Sequence, residues 1–208
     1  MQLHLPPADP APAAAKSAEI LRAVRAAFIE KGFDGASMQD LARVAGMSVG
    51  NFYRYFPSKD AIVAQMIALD MTQIEADFAR VIQSQHPMDS LRAFIAARIT
   101  QDNAEQKGQL WAEIAAAAQR KPDIAASACQ MEATVSTYLT QIFAAETGLP
   151  LADVERRFAP YAGFIILLVR AAAMLSPTNN GTAPDLNPLI LRTINQLLDE
   201  ISGQGSKG

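Results

Sequence analysis

The sequence predicts an all-α protein: an N-terminal three-helix unit of the helix-turn-helix kind, followed by a larger all-helical domain. Three observations predict it. Apolar residues recur at i, i+3, i+4 and i+7 in segment after segment, and neither strand alternation nor an internal repeat is visible. Most prolines and glycines fall between those segments. Residues 37–60 read as two short helices joined by a glycine turn, then a proline break and a newly capped helix.

The first helix is expected over residues 16–31, with Ile20, Leu21, Val24, Ala27 and Phe28 on its apolar face and Gly32 just past its end. Residues 1–15, rich in Pro and Ala, read as a disordered arm rather than a signal peptide. Ser37 is a good N-cap, although Asp40, three residues on, is shorter than the Glu or Gln of a standard capping box. Met38, Leu41, Ala42 and Ala45 form one stripe, and Gly46 ends that helix where a left-handed backbone costs least. Ser48 can cap the next helix. On its wheel Val49, Phe52 and Phe56 point to a core, Gly50, Asn51 and Arg54 point away, and Tyr53 and Tyr55 lie on the flanks. Pro57 stops it, and Ser58 caps a long helix that has Lys59 in its first turn.

That layout suits duplex DNA. Gly50 removes bulk so that a helix can approach base edges, Arg54 can donate a fork to guanine, and Asn51 can pair with adenine or a phosphate. Tyrosine hydroxyls at 53 and 55 and the Lys59 ammonium suit phosphate oxygens. The helix N-terminus at Ser37 and Met38 offers backbone N–H groups to another phosphate. With Ser48 and Val49 these residues make up the expected DNA-binding set, drawn from a domain spanning 16–60.

Residues 17–69 resemble the TetR family of bacterial transcriptional regulators. The resemblance rests on Ile20-Leu21, Ala26-Ala27-Phe28, Glu30-Lys31-Gly32-Phe33, Ser37-Met38, Leu41-Ala42, Ala45-Gly46-Met47-Ser48, and above all Gly50-Asn51-Phe52-Tyr53-Arg54-Tyr55-Phe56 followed by Ser58-Lys59-Asp60. It implies a DNA-binding domain, a variable helical ligand domain and a homodimer. It also implies phosphate contacts by Tyr53, Tyr55 and Lys59, base-side contacts by Gly50, Asn51 and Arg54, and a place near DNA for Val49, against the wheel.

The 208-residue chain carries a net charge of −3, which argues against indiscriminate nucleic-acid binding. Residues 1–60 carry +1 and the remainder −4, so attraction to DNA is expected at one end only. Cys129 is the one cysteine and reads as a small core or pocket residue; an intrachain disulfide is excluded. His4, His86 and Cys129 have no metal-ligand spacing, and neither a Gly-rich phosphate loop nor a nucleophile elbow occurs. No metal, cofactor or catalytic residue is therefore expected, and the chain reads as a non-enzyme acting in the cytoplasm.

Beyond the motif, helices are expected over 58–84, 87–103, 109–119, 122–146, 152–175 (bent or divided at Pro160) and 189–201, with a loop at 176–188 and a fraying tail at 203–208. The apolar run 162–175, broken by Arg170, is too short to span a bilayer and reads as a buried helix. The domain over 61–202 is expected to bind an effector and to dimerise. The last two long helices are apolar enough to form a four-helix bundle with a second copy. Phe78, Phe94, Trp111, Met131, Tyr138 and Phe143 offer walls for a small apolar or aromatic effector. The reading is thus a sequence-specific regulator, a repressor released from a palindromic operator by that effector. An architectural DNA-binding protein without effector, or a helical enzyme, is the alternative.

Overall fold

A computed structural model of the chain describes residues 10–100, 104–175 and 185–205. Among them are nine helices and no strand: α1 (Pro10–Gly35), α2 (Met38–Val44), α3 (Val49–Tyr55), α4 (Lys59–Ile82), α5 (Pro87–Thr100), α6 (Ala104–Ala118), α7 (Pro122–Thr147), α8 (Leu151–Leu175) and α9 (Asn187–Gly205). The chain divides into two compact units between Leu69 and Asp70.

In the first unit, α1 starts at Pro10, six residues before the expected start, so the arm is helical over residues 10–15. Proline is tolerated in a first turn, where its missing N–H is not needed, and the alanines that follow are the best helix formers. The helix is broken at Gly32, whose φ of 72° only glycine adopts readily. Ile20, Leu21, Val24, Ala27 and Phe28 are buried, joined by Phe33, Leu41, Ala42, Phe52, Phe56, Ile62, Val63 and Met66. Met38 and Ala45, expected inward, are only half-buried.

The second unit buries Ile74, Phe78 and Val81 of α4, Leu91, Ile95 and Ile99 of α5, and Leu139, Ile142 and Phe143 of α7. The remainder of that core comes from α8 and α9, including Phe158, Ile165, Ile190, Ile194, Leu198 and Ile201. Arg92 ties α5 to α9, donating to the Asn195 carbonyl and side chain (both 3.1 Å) and to Asp199 (2.7 Å). Gly148, with φ 68°, caps α7 in the left-handed conformation.

Several expectations are corrected. Pro160 lies inside α8 without dividing it. Residues 203–205 continue α9 instead of fraying. Cys129 is exposed rather than in a core or pocket. The expected loop at 176–188 lies outside the described residues except at its end, where α9 has already begun at Asn187. The apolar run near the C-terminus belongs to a longer helix, Leu151–Met174, long and apolar enough by length and composition to cross a bilayer. It is not a buried helix either, since only 22% of its most apolar stretch is covered within the chain. Polar links hold it in a helical bundle: Arg157 donates to Gln204 (3.3 Å), the Tyr161 hydroxyl donates to Glu200 (3.0 Å), and Arg170 pairs with Glu132.

Candidate nucleic-acid interface and cavity

Local capping builds the helix-turn-helix. The Ser37 hydroxyl accepts from the Asp40 backbone N–H (3.1 Å), while the Asp40 carboxylate accepts from the Ser37 N–H (3.2 Å) and hydroxyl (2.6 Å). The short Asp thus completes a capping box. Its other oxygen meets Lys31 at 3.0 Å, fastening α2 to α1, and Arg43 at 3.3 Å. The Ser37 hydrogen bonds, reinforced by Lys31, hold the Asp40 carboxyl well below the usual carboxylate range.

The turn out of α2 is a Schellman motif. Met47 N–H donates to the Ala42 carbonyl (2.9 Å) and Gly46 N–H to the Arg43 carbonyl (3.0 Å), with Gly46 at φ 64°. Ser48 then caps α3, its hydroxyl accepting from Asn51 N–H at 3.3 Å. Phe52 and Phe56, fully buried with rings 5.3 Å apart, pin one side of α3 to the core.

The opposite side is open. Ser48, Val49, Gly50, Asn51, Tyr53 and Arg54 are exposed. Among the described residues, no carboxylate pairs with Arg54. A Cβ added at Gly50 meets nothing within 4 Å. Val49 is 38% exposed, correcting the wheel's coreward placement: on so short a helix Phe52 and Phe56 alone fill the seam. Tyr55 is half-buried beside Phe56, Met38 is half-buried, and Ser37 is exposed.

Lys59 differs from the rest. Its ammonium donates to the carbonyls of Phe33 (2.7 Å) and Asp34 (3.2 Å) and lies 4.9 Å from the Phe33 ring centroid. It therefore ties the start of α4 to the end of α1, and a phosphate would have to share it.

The second unit contains a partly open cavity of about 140 Å³. Of the six wall residues expected from sequence, Phe78, Phe94, Trp111 and Met131 line it. Tyr138 does not; it stacks behind Phe78 at 5.1 Å. Phe143 is core, with no exposed surface. Met131, Val135 and Leu139 face the cavity, so Tyr138, one step before Leu139, points about 100° aside, while Phe143 continues the same row one turn beyond the last lining residue. Sequence reasoning missed the α8 wall (Ile165, Ile166, Val169, Arg170, Ala173) and Arg98. One signal was available, since Arg170 interrupts the most apolar run of the chain, where a solvated cation is out of place.

An exposed polar face on the second helix of a helix-turn-helix, joined to a helical unit with a cavity, defines a class: helix-turn-helix regulator-like proteins. The defining pattern of the family described as "Bacterial regulatory proteins, tetR family" matches residues 20–66. The HTH-type transcriptional regulator UidR of Escherichia coli K12 is 31% identical over 122 residues, which are 59% of this chain and 61% of UidR. The matched part thus spans about three fifths of that relative's length. A transcriptional regulator from Rhodococcus sp. Rha1 has the same fold with a TM-score of 0.71 at 22% identity, covering 88% of this chain and 96% of its own. Salmonella enterica GusR superposes with a TM-score of 0.66 at 24% identity, covering 92% and 96%. The likeness to the TetR family is thus carried by residues 20–66.

Proposed function

We propose that the chain is a transcriptional regulator that binds palindromic operator DNA as a homodimer, acts as a repressor, and is released by a small effector. The observation that carries the reading is the face of α3: Gly50, Asn51, Tyr53 and Arg54 stand exposed on a helix whose opposite side is locked by Phe52 and Phe56. Arg54 and Asn51 are the base-reading pair, and Gly50 lets them approach. Tyr53, Tyr55 and the α2 N-terminus at Ser37 and Met38 set register on phosphates, with Ser48 and Val49 at the rim. Such a protein works where bacterial DNA lies, in the cytoplasm.

Dimerisation has its own support. Pro160, Gly163, Phe164 and Leu167 form an exposed stripe on α8, with Phe164 43% and Leu167 56% exposed and Leu189 of α9 also uncovered. The other apolar face of α9, with Ile190, Ile194, Leu198 and Ile201, is spent on this chain's own core. The α8 stripe therefore supplies most of the self-complementary surface, and α9 its edge.

Effector release follows from shared elements. α4 gives Ile62, Val63 and Met66 to the first core and Ile74 and Phe78 to the cavity wall. A ligand that binds better when two recognition helices are not spaced about 34 Å apart lowers DNA affinity by its differential affinity for the two states. The cavity favours this reading over an architectural protein without effector. Footprinting on the DNA upstream of the chain's own gene tests it. Two protected half-sites about one helical turn apart are expected; uniform protection of any sequence overturns the regulator in favour of the architectural reading.

A further inference from the structure

We propose that the cavity takes a small aromatic carboxylate, a single ring with one negative charge, held by Arg98. This rests on the effector-regulated reading above and narrows its ligand to a chemical class.

The size and surface of the cavity select the ring. Phe78 and Phe94 meet edge to face with centroids 5.4 Å apart, and Tyr138 stacks on Phe78 at 5.1 Å and 14°, so Phe78 is clamped from two sides. Trp111 and Met131 add apolar wall. These preformed faces suit offset or edge-on packing of another ring. The volume, about 140 Å³, is close to the roughly 150 Å³ of an apolar cavity that holds benzene. One ring with a short substituent fits that volume.

The charge selects the substituent. Two guanidiniums border this apolar space, Arg98 and Arg170. Arg170 is paired with Glu132 from α7, so that couple is neutral. Arg98 lies 5.7 Å from the Phe94 centroid, and among the described residues no carboxylate pairs with it. A cation beside an apolar volume, with no counter-ion among the described residues, leaves a positive potential there. An entering carboxylate takes the guanidinium fork through charge-assisted hydrogen bonds. A neutral ring leaves that fork unused, and a ring bearing an ammonium is repelled. Phe94 and Arg98 are one turn apart on α5, so ring and charge are read by one helix face.

Calorimetric titration of the full chain with benzoate, benzamide and benzylamine tests this. Benzoate is expected to bind roughly ten- to a hundredfold tighter than benzamide, the range of a charge-assisted hydrogen bond, and benzylamine not measurably. Arg98→Met is expected to bring benzoate down to the level of benzamide without changing benzamide itself. Arg98→Lys, which keeps the charge but not the fork, is expected to recover part of the loss. Equal affinity for benzoate and benzamide overturns the proposal. So does benzoate binding indifferent to Arg98→Met, or binding of none of the three probes. Adding the same probes to the protein–DNA complex separates the two readings. Arg98-dependent benzoate binding that leaves DNA bound supports the ligand class while contradicting effector release; release by benzamide but not by benzoate overturns the class while sustaining release.

Discussion

The two units of this chain make their sites in opposite ways. The first displays: side chains on α3 stand in solvent without partners, and neighbouring residues hold the helix that carries them. The second recesses: its partly open cavity is what remains where α4, α5, α6, α7 and α8 fail to close on one another. A displayed site depends on caps and turns a few residues away. A recessed one depends on backbone approaches between residues far apart in sequence. The same kind of substitution should therefore act differently in the two.

The largest contrast is between two glycines. A Cβ built at Gly108 of α6 lies 1.8 Å from the Ala173 carbonyl oxygen and 2.4 Å from its carbon, backbone atoms that cannot swing away. Gly108→Ala is expected to force α6 off α8, distort the wall that Trp111 and Ala173 share, and cost about 3 kcal/mol or more. Urea unfolding of the second unit checks the figure; an unchanged midpoint would show that the two helices do not meet there. Ser37→Ala, which removes the α2 cap, should cost only about 1 kcal/mol, read from thermal unfolding of the first unit. Gly50→Ala should run the other way. With open space around it, the substitution stabilises α3 by about 0.5–1 kcal/mol, yet DNA affinity should fall because the added methyl holds the helix off the base edges. Tighter DNA binding by that variant would remove close approach from the account.

The smallest expected effect is on acid stability. The carboxyl of Asp40 titrates below its unfolded value, so its contribution is complete above about pH 4 and fades as pH falls through the folded value. Amide exchange in α2 should quicken over that acid range in the wild type and show no such step in Asp40→Asn.

How much was legible in the sequence divides along the same line. The first unit is written locally: Ser37, Gly46, Ser48 and Pro57 mark each helix end, and Phe52 against Arg54 sets the two faces of α3. The error there comes from asking a wheel to do more than it can: Val49 turned outward because two phenylalanines suffice for the seam. The acceptors that Lys59 meets within the chain, the carbonyls of Phe33 and Asp34, are set by tertiary structure and have no local signal. In the second unit, periodicity found the helices but could not say which of them meet. Phe143 and Met131 look alike in sequence; one fills the core and the other lines the void. Arg98 carries no local signal in the sequence; packing sets it beside Phe94 at the cavity.

The central claim is that α3 reads base sequence through Arg54. Its most direct test is a single-base substitution scan across the protected half-site, with binding measured for wild type and Arg54→Ala. A bidentate guanine contact predicts a loss of about 1–3 kcal/mol for the variant, together with lost discrimination at one base pair and unchanged preferences elsewhere. A uniform loss at every position, with discrimination intact throughout, would contradict it and leave Arg54 a phosphate contact.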